Sequence, residues 1–160
     1  MNTFSLIFQR THDIDWFAKS GDIYIHAMSF GGLLPVSVNN RSRNDNILRR
    51  VYKSLTVMPE LELIWNEQYL KNRIGPQSES EEDYQRKRKR YLIHFNEMAR
   101  RGFCSFDRDL KDERIYHLIV RPKNLLLSNW HGGVIPDIPV ENLRWEGNEV
   151  CMMKVELPAL

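Results

Sequence analysis

The chain has 160 residues, 42% hydrophobic and 28% charged, with four Trp, six Tyr and seven Phe. That composition argues against disorder and suits a single globular α+β domain spanning residues 1–160. The net charge of +2 is small for a dedicated nucleic-acid scaffold, and no apolar run approaches the ~20 residues that cross a bilayer, so no membrane association is expected. The first residues lack the basic start and apolar core of a secretion leader. Cys104 and Cys151 have neither zinc-site spacing nor a disulfide framework, which points to a reducing, cytoplasmic setting.

In chain order, Thr3–Gln9 alternates Phe4, Leu6 and Phe8 and predicts a strand. Asp13–Ser20 predicts a short helical turn, with Asp13 or Asp15 as cap and Gly21 as stop. Asp22–Phe30 has apolar residues on both faces and predicts a central strand. Gly31-Gly32 ends it, and Pro35–Val38 fits an edge strand. After a polar loop, Asn44 or Asp45 caps a helix to about Leu55, with Ile47, Leu48, Val51, Tyr52 and Leu55 on one side. Pro59 suits the first turn of a further helix over 59–74; the alternative is a strand through Leu61, Leu63 and Trp65.

The longest helix is expected near residues 80–101. Ser78 or Ser80 can cap it, acids fill its first turn, Arg100 and Arg101 its last, and Gly102 stops it. Tyr84, Tyr91, Leu92, Phe95, Met98 and Ala99 form its apolar stripe, with Phe95 as the core anchor. Phe103–Phe106 and Arg114–Arg121 predict strands, separated by a charged turn. Trp130–Pro139 reads as a Gly/Pro loop, and Leu143–Trp145 with Val150–Leu157 as a terminal hairpin turning at Gly147-Asn148. About three helices packing a mixed or mainly antiparallel sheet follow.

Two places carry candidate function. The first is the basic face of the long helix, whose residues 86–90 read Arg-Lys-Arg-Lys-Arg. Arg86, Lys87, Lys89 and Arg90 can contact an acidic protein or a nucleic-acid backbone, which makes a binding or regulatory module the leading expectation. A solvated helix face, partly neutralised by pairs such as Asp83–Lys87, is the alternative.

The second is a pair of similar segments, Ser29-Phe30-Gly31-Gly32-Leu33-Leu34-Pro35 and Trp130-His131-Gly132-Gly133-Val134-Ile135-Pro136. Glycine pairs let backbone approach a ligand or take positive φ. If both loops line one pocket, His131 and His26 become acid–base candidates and Trp130 a stacking wall, as in a small hydrolase or transferase. Outside that reading, His26, His94 and His117 are expected to pack at the core or its rim. Cys104 with His94 or His117 would make a nucleophile pair, but a simply buried cysteine is the expected role. Asp107, Asp109, Asp112 and Glu113 read as a solvated turn. No phosphate-binding loop, serine elbow or zinc-helix motif is present, so neither a cofactor nor a metal is expected, and no stretch carries a family signature.

Overall fold

The computed structural model describes residues 2–125, 135, 138–141, 143–146 and 149–159. Its elements are α1 (Leu6–Thr11), β1 (Asp15–Ser20), β2 (Ile23–Met28), α2 (Arg41–Ser54), β3 (Leu63–Trp65), α3 (Glu67–Ile74), a 3-10 turn (Gly75–Gln77), α4 (Glu81–Ala99), β4 (Cys104–Arg108), β5 (Ile115–Pro122), β6 (Leu143–Glu146) and β7 (Glu149–Lys154). The fold is α+β, with one mixed sheet ordered β1-β2-β4-β5-β7-β6 and β3 on the far half of β5. Only β2–β4 is parallel among these pairings. β6 and β7 pair antiparallel; the expected turn at Gly147-Asn148 lies outside the described residues. Among the described residues no helix is long and apolar enough to cross a membrane.

The long helix forms as its end signals predict. Ser80 caps it by accepting from the Asp83 N–H, and Glu81, Glu82 and Asp83 fill the first turn. Tyr84, Leu92, Phe95, Met98 and Ala99 are buried, so the stripe faces the sheet and Phe95 belongs to the core.

Four segments differ from expectation. Residues 3–9 are not a strand: Ser5 accepts from the Phe8 N–H and starts α1. Helical spacing then stacks Phe8 near Phe4, ring centroids 5.7 Å apart, and turns Leu6 and Ile7 outward, 49% and 77% exposed. Asp15–Ser20 is a strand, because Gly21, at φ 58°, makes a two-residue hairpin turn rather than a helix stop. Pro35–Val38 is a turn closed by Val38 N–H to the Pro35 carbonyl. The 59–74 helix splits into β3 and α3, since Asn66 caps α3 by accepting from the Tyr69 N–H and anchors it to the Leu118 carbonyl. Likewise α2 starts at Asn40, which accepts from the Arg43 N–H, earlier than residues 44–45.

The sheet has two different faces. One collects Trp16, Ala18, Ile25, Ala27, Cys104, Phe106, Tyr116, Leu118 and Met153, covered by Phe4, Leu34, Val38 and Val155. On the other, α2 and α4 pack Ile47, Val51, Leu55 and Met98 on Phe17 and Phe103. Farther along, α3 and α4 pack Leu70, Ile74, Leu92 and Phe95 on Ile119 and Val120. Strand alternation places Asp15, His26, Ser105, Asp107 and His117 on this second face, and the pairing sets His26 beside Ser105 and Asp107 beside His117.

Candidate functional site

His26 is fully buried between Phe17 and Phe95, ring centroids 5.5 and 6.2 Å away. Its Nε2 donates to Asp15 Oδ1 at 2.6 Å, which leaves Nδ1 to accept from the Ser105 hydroxyl. From above, α4 lowers His94, whose Nε2 donates to the same Asp15 oxygen at 2.6 Å. The Asp15 backbone is held in turn by the Asn44 side-chain amide, 2.8 Å from its carbonyl. One carboxylate oxygen thus joins two imidazoles contributed by β2 and α4. Among the described residues this is the one group of three His, Cys, Asp or Glu whose ligand atoms lie within 4.8 Å of one another.

The electrostatics of the three differ. Burial opposes the charge on Asp15, yet the hydrogen bonds from His26 and His94 hold its carboxyl well below the usual range. Burial drives the His26 pKa down despite Asp15, which keeps that ring neutral. His94 is raised, first by its bond to Asp15 and against partial burial.

His94 also lines a cleft of about 620 Å³ between α4, α3 and the end of β2. Its other walls include Asp13, Phe30, Arg73, Lys87, Arg90, Tyr91 and Asp107. Lys87, Arg90, Tyr91 and His94 fall at i, i+3, i+4 and i+7, so one side of α4 supplies all four. At the floor, Arg73 lies 3.4 Å from Asp107 and beneath the rings of Phe30 and Tyr91, 4.9 and 5.2 Å from their centroids. Burial pushes the Asp107 carboxyl up to about 6 against Arg73 and the Tyr91 hydroxyl, which donates to it.

Phe30 reaches the cleft from a tight turn. Gly32 N–H bonds the Ser29 carbonyl at 2.9 Å, and both central residues, Phe30 at φ 47° and Gly31 at φ 70°, have positive φ. Such a backbone is strained for phenylalanine. A side chain on Gly32 would meet the Arg108 stem at 2.5 Å. These glycines shape the turn and are not cleft walls; Phe30 is.

The basic residues of α4 divide. Arg86 and Lys87 both pair with Asp83, and Lys87 also donates to the Gln77 carbonyl. Lys87 and Arg90 line the cleft while Arg86 and Lys89 do not. Trp130, His131, Gly132 and Gly133 lie outside the described residues, so the meeting of the two glycine loops does too.

One sequence expectation holds here and one changes. Cys104 is the simply buried thiol expected and no nucleophile partner: it sits on the opposite, apolar face, and burial pushes its thiol up to about 12. The acidic run after α4 is not one solvated turn, since Asp107 is buried at 3% exposure. Of the rest, Asp109 accepts from the Lys111 and Asp112 N–H groups and from His117, Asp112 pairs with Arg114, and Glu113 pairs with the distant Arg10. The role of His94 was missed because its partners are 79 and 68 positions away in sequence (94 − 15 and 94 − 26). Comparison with protein-family models, with curated proteins and with solved structures gave no match.

Proposed function

We propose that the protein is a binding module that seats an anionic group of an acidic partner protein in the cleft beside α4. One observation carries this reading: Arg73, Lys87 and Arg90 line the same concavity with Phe30 and Tyr91. Cations beside aromatic walls suit a carboxylate carried on a polypeptide. A modest net charge of +2 and a short concave seat favour a polypeptide over a nucleic-acid backbone, which calls for an extended basic surface. A cytoplasmic setting belongs to the same proposal and is supported by a buried free thiol at Cys104.

The test is fluorescence anisotropy of a glutamate-rich peptide and of a single-stranded oligonucleotide across a salt series. Peptide binding is expected, weakened at least ~10-fold by the double change Lys87→Ala, Arg90→Ala. Tighter oligonucleotide binding, with the steep salt slope of counterion release, would replace the partner class. Binding of every ligand unaltered when Arg86, Lys87, Lys89 and Arg90 are all alanine would end the proposal.

A second reading, a small hydrolase or transferase, has one supporting observation. A part-buried carboxylate orients a partly exposed imidazole into a cleft, as general acid–base chemistry requires. The group offered there is His94, with His26 enclosed behind it. His94→Gln abolishing turnover without lowering the melting temperature would support this reading.

A further inference from the structure

We infer that Asp15, His26 and His94 form a binding site for a divalent transition-metal ion of the zinc class. The set is two imidazoles and one carboxylate, a common three-residue ligand set for such an ion, with a further position left for water or ligand. Both imidazole Nε2 atoms stand 2.6 Å from one Asp15 oxygen. Zinc bonds of about 2.0–2.1 Å put tetrahedral ligand atoms roughly 3.4 Å apart. Ligand atoms all within 4.8 Å of each other therefore reach that spacing with small side-chain rotations.

The outer shell fits as well. A histidine that gives Nε2 to a metal carries its proton on Nδ1 and needs an acceptor there. His26 Nδ1 already faces the Ser105 hydroxyl, which accepts as readily as it donates. His94 Nδ1 lies 3.8 Å from Glu97. Small side-chain movements thus connect the two states: without metal the Nε2 protons go to Asp15, and with metal the His26 Nδ1 proton goes to Ser105 while His94 Nδ1 turns toward Glu97. The three ligands come from β1, β2 and α4, rigid elements that hold their positions. Access is from the cleft, which His94 lines together with Asp13.

The inference does not rest on the anionic-partner reading, since all three ligands belong to this chain. It does compete with acid–base use of His94, because an ion would occupy the Nε2 which that chemistry needs.

The test is isothermal titration of the chelator-treated full chain with zinc chloride, with cobalt(II) absorption as a spectroscopic check. One equivalent is expected to bind, with visible cobalt bands of a low-coordinate site. Asp15→Asn and His94→Gln should each weaken binding at least ~100-fold, and Ser105→Ala, which touches only the outer shell, by roughly 10-fold. His117→Gln, in the separate His117–Asp109 pair, should leave it unchanged. No stoichiometric binding, or equal binding by wild type and both ligand variants, overturns the inference. Should a ligand variant fail to fold, the imidazole resonances of the wild type decide. Zinc shifting those of His26 and His94 supports the site, and shifts confined to the other histidines overturn it.

Discussion

Beneath α1, the central strands contribute Trp16, Ile25, Ala27, Cys104 and Phe106 to a mainly apolar layer. Beneath α4, the same strands contribute Asp15, His26, Ser105 and Asp107. The first face mostly packs. The second sets buried polar groups among apolar patches, and each such group is tolerable only while its hydrogen bonds are made. His26 meets that demand with two partners and Asp107 with Tyr91 and Arg73. A face built this way stabilises the fold less than an apolar one, and the proposed function draws on that difference.

Truncations give the largest effects and test whether the faces share one core. Phe106→Ala and Phe95→Ala should each cost about 3–5 kcal/mol in urea unfolding. A small loss for Phe95→Ala alone would mean that α4 is held by its polar contacts and not by the stripe.

A pH series separates the faces next. The folded Asp107 carboxyl titrates at about 6, above the usual 3.8. The stability it contributes is therefore complete below pH 3.8 and is lost as pH rises through about 6. Between pH 4 and 7 the wild type should lose on the order of 3 kcal/mol more than Asp107→Asn. Phe106→Ala, on the apolar face, should show the wild-type pH profile; identical profiles for wild type and Asp107→Asn would remove the contrast.

Asp15→Ala should cost about 1–3 kcal/mol, because His26 Nε2 is left without a partner where water does not reach. His94, 32% exposed at its side chain, can turn to solvent. Chemical-shift changes on His94 but none on His26 would reverse that assignment. The smallest effect belongs to Phe30→Gly. Relief of the φ 47° backbone offsets the lost ring contacts with Arg73 and Arg108, so stability should stay within about 1 kcal/mol, while affinity for an acidic peptide falls.

Much of the fold was legible wherever one signal acted alone. Helix α4 announces itself through Ser80, its acidic first turn and the stripe around Phe95, and β2 and β5 through apolar runs. Where two signals overlapped, the local one misled. Phe4, Leu6 and Phe8 alternate like a strand, yet Ser5 caps a helix. Trp16, Phe17 and Ala18 are all fully buried, so β1 shows no alternation. The site was legible in halves. Within β2, His26 lies between Ile25 and Ala27 and so must face away from them. On α4, Lys87, Arg90, Tyr91 and His94 repeat at helical spacing. Nothing local says that these halves meet, because the join is made by sheet register and by α4, which packs on β4 and β5 and reaches Asp15 through His94.

That join has a kinetic consequence. β2 and β4 run parallel and adjacent, so the chain from Met28 to Cys104 must leave the sheet and return before His26 can lie beside Ser105. Closing so long a loop gives up entropy that only the completed sheet recovers, which places such pairings late in folding. The β1–β2 hairpin and α4 can form from local contacts, whereas the Asp15–His26–His94 cluster waits for the return strand. Amide protection in pulse-labelled refolding should therefore appear at β1 and β2 before β4, and the cleft should be among the last parts of the molecule to gain its shape.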